Sequence, residues 1–342
     1  MKSKNITIYD VARECNLSVA TVSRVINNNG KVKESNKKKV LSKIKELNYQ
    51  PNSLAISLYK KDTSTIGVIL PDITSPFFSR IFIEIEKRAI EEGLVTFLCN
   101  SMNNYKNEEL YLKTLSQKQV KAIVLIGGII NKTTSNKKNR ELIEGIIKHT
   151  PIIMVNGYVE GIDCSIVSTD ERSGIFALVD HLYESGHTKI GVVGGIRGIS
   201  STDLKIEYFK EALKEKNLKY NKSWTIPCGF SVNEGKLGME KLLENNKRPT
   251  AVICINDLIA LGAITYCQDN NINVPNDISI AGFDDTYMCE LINPKLTTVN
   301  QNYEEMGNAI MDIIKDNNFI KCDYHKKIDV KLVKRNSIKQ IK

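Results

Sequence analysis

Residues 7–27, TIYDVARECNLSVATVSRVIN, encode two short helices with a tight turn between them. Thr7 is placed to cap the first helix with Asp10 three residues on, and Ile8, Val11 and Ala12 then share one apolar face. Asn16 breaks this helix because it tolerates the left-handed backbone that a sharp turn needs, and Ser18 caps the second helix. There Val22, Val25 and Ile26 face inward, which leaves Val19, Ala20, Ser23 and Arg24 outward. Small residues at a helix N-terminus let the backbone sink into a DNA major groove, where Arg24 can donate two hydrogen bonds to a guanine edge. The competing reading is a hairpin used for packing alone, which has no need of an outward arginine beside small outward residues.

The charge distribution argues the same way. Residues 1–61 hold 13 Lys and Arg against 4 Asp and Glu, and the remaining 281 residues hold 35 of each. The whole net charge of +9 therefore lies in the first sixth of the chain, where it can neutralise phosphates. A length of 342 residues, 42% hydrophobic and 25% charged, is that of a multidomain globular chain rather than a disordered one. There is no apolar stretch of signal-peptide or membrane-spanning length, so a cytoplasmic protein is expected. The eight cysteines and four histidines are scattered without a C-x-x-C pair, which favours buried thiols over metal or disulfide roles. No cofactor is expected.

A third helix is implied by Val40, Leu41, Ile44 and Leu47, closing a small core over the first two. The expected headpiece spans residues 1–50. Next, PNSLAISL (51–58) starts as a helix at Pro51 and Asn52, and Leu54, Ala55 and Leu58 form an apolar face that nothing within the segment covers. It is too short to be a stable helix alone, so residues 51–65 are read as a hinge helix and linker that orders against a second copy or DNA.

From Ile66 the pattern changes to apolar strands alternating with amphipathic helices. Strands are expected at 66–70, 95–99, 122–126, 151–155, 164–168, 189–193, 250–255, 277–283 and 296–300, and helices at 77–92, 171–185, 203–216 and 257–270 among others. This alternation implies parallel sheets flanked by helices, and about 280 residues exceed one such sheet. Two lobes are expected in an α/β core over 66–342: a first of about 66–163 and 296–325, a second of about 164–295 and 326–342.

Six separated segments now stand in order: the helix pair at 7–27, the hinge PNSLAISL, TIGVILPDITSPFF at 65–78, HLYESGHTKIGVVGG at 181–195, NDLIALGA at 256–263 and ISIAGFDDT at 278–286. Together they resemble the LacI/GalR family of bacterial transcriptional regulators over nearly the whole chain. The resemblance implies an all-α helix-turn-helix headpiece on a two-lobed core like a periplasmic sugar-binding protein. It also implies a homodimer on pseudo-palindromic double-stranded operator DNA, most consistent with a repressor, and an allosteric small-molecule effector, a sugar or related metabolite, between the lobes. In the family pattern Val19 and Ala20 match base-reading positions, with Arg24 one turn later, while Tyr9, Ser18, Thr21, Ser23, Asn27 and Lys31 match backbone or flanking contacts. Asn52, Ala55 and Leu58 match hinge contacts, with Leu58 as the minor-groove wedge. Ile56 departs from the arginine common at that point of the hinge.

In the core, Asp72, Ser75, Phe77 and Phe78 match a sugar-binding pattern of polar group and stacking aromatics, Asn256 and Asp284 match hydroxyl-binding positions, and Gln301 matches a polar position after a crossover strand. Lys205 stands where the family usually has a bidentate arginine, and Asn156-Gly157 where many members have Asp-Arg, so an atypical effector is expected. All these positions fall at the carboxyl ends of strands, where ligands of such sheets bind.

Two other classes of function stay in view. GVVGGIRG at 191–198 raises a nucleotide-dependent enzyme, but a G-x-G-x-x-G ending at Gly198 needs glycine where Val193 stands, and no Walker, nucleophile-elbow or metal-ligand motif accompanies it. A transport binding protein would share the core, but the basic headpiece and the missing leader oppose it.

Overall fold

A capping box opens α1 (Ile8–Cys15): the Asp10 amide donates to the Thr7 hydroxyl, and the Thr7 amide donates to the Asp10 carboxylate. Asn16 closes the helix at φ 49°, the left-handed turn expected of it, and α2 (Val19–Ile26) and α3 (Glu34–Glu46) follow. Val11, Ala12, Cys15, Val22, Val25 and Val40 are buried together between the three helices. Leu41, expected on this inward stripe, is 45% exposed, and Ile44 and Leu47 pack in its place beside Val40. Inward spacing from Val40 runs i, i+4, i+7, which leaves i+1 on the outer face.

The structure, a computed structural model, describes residues 6–26, 31–49, 64–133, 137–245, 247–316 and 324–341. Asn27, the hinge helix expected at 51–58, and with it Asn52, Ala55 and Leu58, lie outside the described residues. The chain divides into two units, Met1–Ser64 and Thr65–Lys342.

In the second unit the first lobe is a six-stranded parallel sheet in the order β11-β5-β4-β3-β1-β2, formed by His325–Ile328, Ser165–Thr169, Ile152–Val155, Ala122–Ile126, Thr65–Leu70 and Val95–Asn100. Its central strands β1, β3 and β4 read as continuous apolar runs because both of their faces are covered. On β3, Ala122, Val124 and Ile126 face one core with α4 (Pro76–Glu91) and the later helix at Tyr303–Lys315, while Ile123 and Leu125 face the other with α5 (Tyr105–Gln117) and α6 (Lys137–Ile147). The second lobe is a four-stranded parallel sheet, β7-β6-β8-β9, formed by Thr225–Ile226, Ile190–Val193, Ala251–Cys254 and Ser279–Ala281. It is sandwiched between α9 (Val232–Leu243) and α10 (Asp257–Asp269) on one side and α7 (Glu171–Glu184) and α8 (Ser200–Glu215) on the other. Helices α9 and α10 approach to backbone contact. A Cβ on Gly262 would lie 2.0 Å from the Val232 carbonyl oxygen, so only glycine fits.

β10 (Thr298–Asn300) and β12 (Lys331–Val333) form an antiparallel pair, and α11 (Tyr303–Lys315) lies between them in the chain. The lobe boundaries differ from expectation. Residues 165–169 and 326–328, assigned by pattern to the second lobe, pair with each other in the sheet of the first, whereas Leu296 and Val299 are buried in the cores of the second. A short strand carries its own periodicity but no mark of which sheet will take it.

Candidate functional site

In the headpiece the α2 N-terminus is organised by Ser18, whose hydroxyl accepts from the Thr21 amide at 3.2 Å and lies 2.8 Å from the Thr21 hydroxyl. Tyr9, Ser18, Ala20, Arg24 and Lys31 are exposed, and Thr21 and Ser23 are half-buried. Arg24 has no ion pair or side-chain hydrogen bond among the described residues. Val19, expected to point outward, is half-buried against the headpiece core, which leaves Ala20 as the outermost small residue at the start of the helix.

In the core, a cavity of about 530 Å³ lies between the lobes, at the carboxyl ends of β1, β3, β4 and β8. It brings together all nine residues singled out in the sequence: Asp72, Ser75, Phe77, Phe78, Asn156, Lys205, Asn256, Asp284 and Gln301. The loop after β1 places Asp72, whose Oδ1 accepts from the Thr74 amide at 2.9 Å and the Thr74 hydroxyl at 2.7 Å; Ser75 then leads into α4. Phe77 and Phe78 meet edge to face at 5.2 Å and pack on the core of the first lobe, presenting a partly exposed aromatic wall.

Most polar members of the set already bond within the protein. Asn156 Oδ1 accepts from the Thr169 amide at 2.8 Å, and its Nδ2 donates to Gln301 Oε1 at 3.4 Å. Gln301 also accepts from the Thr169 hydroxyl at 2.6 Å and donates from Nε2 to Asp284 Oδ1 at 2.5 Å. The Tyr303 hydroxyl donates to the Asp284 carbonyl at 2.7 Å. This chain of bonds runs from β4 of the first lobe through the crossovers to the second. Asn256 caps α10 by accepting from the Ile259 amide at 2.9 Å and donates to the Phe230 carbonyl at 3.1 Å. Lys205 lies 3.1 Å from the Glu171 carboxylate, donates to the Ile255 carbonyl at 3.3 Å, and sits 3.9 Å over the Phe283 ring. It makes ion-pair and ring contacts without the planar fork of arginine.

Asp284 is 6% exposed and has φ 118°, a backbone conformation rarely adopted outside glycine. Burial raises its carboxyl well above the usual range, opposed by the charge of Lys205.

The cavity also contains residues that the sequence did not single out, among them Asn103, Tyr105, Glu108, Asn131, Glu171 and Glu234. Glu108, on α5, is 2% exposed and accepts from the Ile129 amide at 3.0 Å; burial pushes its carboxyl up to about 7. Its apolar surroundings come from the turn at 128–131, distant in sequence, so no local pattern marks it. Glu234 was visible in principle, as the fourth residue of the capping box that Ser231 opens on α9. The lobes touch at the rim, where the Thr133 amide donates to the Gly198 carbonyl at 3.1 Å and Lys132 bridges to Ile199.

Among the described residues no helix is long and apolar enough to cross a membrane. Residues 7–52 match the model of the lacI family of bacterial regulatory proteins, and residues 179–337 match that of a periplasmic binding protein-like domain. The chain is 36% identical to the transcriptional regulator DegA of Bacillus subtilis, over 88% of each chain. It is also 36% identical to catabolite control protein A of Priestia megaterium, over 91% of this chain and 92% of the relative. Among solved structures, a LacI family regulator from Enterococcus faecium with bound ribose is 30% identical and superposes with a TM-score of 0.70, over 81% of this chain and all of the other. The lac repressor dimer on its operator, 24% identical, shares the fold with a TM-score of 0.85 over 98% of this chain and all of the other. The named relatives are transcriptional regulators rather than enzymes, and by sequence and architecture alike this chain belongs to the lacI family of bacterial regulatory proteins.

Proposed function

We propose that the chain is a cytoplasmic, non-enzymatic repressor that binds a pseudo-palindromic operator as a homodimer and is switched by a small polyhydroxylated effector in the interlobe cleft. The observation that carries this reading is the bond chain Asn156–Thr169–Gln301–Asp284, which joins the two lobes at their crossovers and of which Asn156, Gln301 and Asp284 line the cavity. A ligand that bonds to these side chains competes with the contacts that set the lobe angle, so occupancy and conformation share one free energy. Base reading is assigned to Ala20 and Arg24, with Val19 supporting the helix from beneath, and phosphate or flanking contacts to Tyr9, Ser18, Thr21, Ser23, Asn27 and Lys31. Asn52, Ala55 and Leu58 remain assigned to the hinge contact. Dimerisation is supported by the edge strand β2, where Val95, Phe97 and Leu98 are exposed alongside Ile83 and Ile90 of α4.

The test is fluorescence anisotropy on duplexes selected from random sequence. The expected result is enrichment of a palindromic site, steep weakening with salt, and release or strengthening by the effector, with the operator shifting effector affinity by the same factor. Binding that is indifferent to sequence, or an effector affinity equal with and without the duplex, overturns the reading.

A further inference from the structure

Among the described residues, the interlobe cavity is lined by five carboxylates, of Asp72, Glu108, Glu171, Glu234 and Asp284, against a single ammonium, Lys205. That ammonium is already engaged by Glu171, the Ile255 carbonyl and the Phe283 ring. Lys132, the other cation close by, sits 3.6 Å over the Tyr105 ring and does not line the cavity. No arginine or histidine lines it among the described residues.

The carboxylates are not equally satisfied. Glu234 accepts from the Phe230 and Ser231 amides, Asp72 from Thr74, and Glu108 from Ile129. Asp284, more than nine-tenths buried, has Oδ1 taken by Gln301 and no partner for Oδ2 among the described residues. A carboxylate oxygen on a cavity wall with no donor from its own protein is free to accept from a ligand.

An anionic ligand entering this cleft would meet an excess of negative charge with no free cation to answer it, whereas an ammonium would supply the missing countercharge. We propose that the effector is a polyol bearing a protonated amine, an amino sugar or an aminated polyol, with the amine donated to Asp284, and that the cleft rejects phosphorylated and carboxylated analogues by charge. This rests on the cleft being the effector site. At Asp284 and Glu108 burial outweighs the nearby charges of Lys205 and Lys132, so each holds its proton more tightly, and an ammonium placed beside Asp284 would favour its ionised form.

The test is calorimetric titration of the full-length protein with matched triplets: glucose, glucosamine and glucose 6-phosphate, then the galactose and mannose equivalents. The expected result is that at least one amine binds about tenfold or more tightly than its neutral parent while its phosphate does not bind. Asp284→Asn should then weaken the amine about tenfold to a hundredfold more than it weakens the neutral parent, the range expected for loss of a charged hydrogen bond beyond that of a hydroxyl contact. Should circular dichroism show that this variant does not fold, Glu108→Gln takes its place, with a smaller loss in the same direction expected. A phosphate binding more tightly than its parent, or amines and parents indistinguishable throughout, overturns the charge assignment and leaves the cleft as effector site. Silence from every triplet overturns both.

Discussion

On α2, Arg24 is exposed and holds no partner among the described residues, whereas in the cleft Asn156, Lys205, Asn256 and Gln301 each already hold at least two. The two regions therefore distribute their work differently. In the headpiece, the apolar residues that hold the core, such as Val11, Cys15 and Val22, are distinct from Ala20 and Arg24, which face outward. In the core, Asn156, Gln301 and Asp284 both line the cavity and tie the lobes together. A substitution in the first region should separate stability from binding, and one in the second should not.

The strongest way to break this contrast is Arg24→Ala. A bidentate arginine–guanine contact contributes about 1–3 kcal/mol of discrimination, so its loss from both half-sites should cost about 2–6 kcal/mol of operator affinity. The melting temperature should be unchanged, because the side chain is exposed and makes no bond among the described residues. Anisotropy and thermal unfolding on the same preparation check both halves; a fall in melting temperature alongside affinity would erase the distinction.

In the cleft, Gln301→Leu removes a side chain that serves Asn156, Thr169 and Asp284 together, and leaves buried polar groups unsatisfied at roughly 2–3 kcal/mol. Here stability and effector response should fall together. Calorimetric unfolding and effector titration should both move, and a variant that loses response at full stability would show that the bonds are incidental to the fold.

Glu108 offers a pH test of the same coupling. Its carboxyl is held up at about 7 against an ordinary 4.5, because burial outweighs the Ile129 amide and the charge of Lys132. The folded state thus binds this proton more tightly than the unfolded one. Its contribution is fully present below the ordinary carboxylate range and declines as pH rises from about 4.5 to about 7. Glu108→Gln should gain stability relative to the parent across that window, by on the order of 2 kcal/mol at its upper end. Urea unfolding at a series of pH values measures it. A difference that stays flat with pH would mean that the Glu108 carboxyl titrates in the folded protein as it does in the unfolded chain.

What was readable in the sequence follows the same division. The helix pair is written locally, in Thr7, Asp10, Asn16 and the spacing of three valines, so its capping box and left-handed turn were legible residue by residue. Strands such as β1, β3 and β4 were legible as apolar runs because burial on both faces removes alternation. β11 was not: His325, Lys326 and Lys327 form a polar edge with no apolar run to announce it. The nine cleft residues were reached through a family pattern, and their positions at strand ends explain why they converge. Their mutual bonds were invisible, because residues such as Asn156 and Gln301 lie 145 positions apart and no spacing rule joins them. Glu108 escaped for a related reason, since its burial is imposed by a turn outside its own helix.

The smallest effect is expected from Thr7→Ala, and it bears on the contrast most directly. The Thr7 hydroxyl accepts from the Asp10 amide at 3.4 Å and donates to the Asp10 carboxylate at 2.6 Å, while both residues sit at the start of α1, away from the outward face of α2. Losing the cap should cost about 1 kcal/mol of headpiece stability. Amide exchange should speed up at Asp10 and Val11, and Thr7→Ser should restore it by keeping the hydroxyl. Operator affinity should fall only as far as the folded headpiece population falls, equally for every duplex, so the ranking of sequences stays the same. A changed ranking would mean that the first turn of α1 helps to place Arg24, and that the headpiece, like the cleft, uses the same side chains to keep its shape and to recognise its partner.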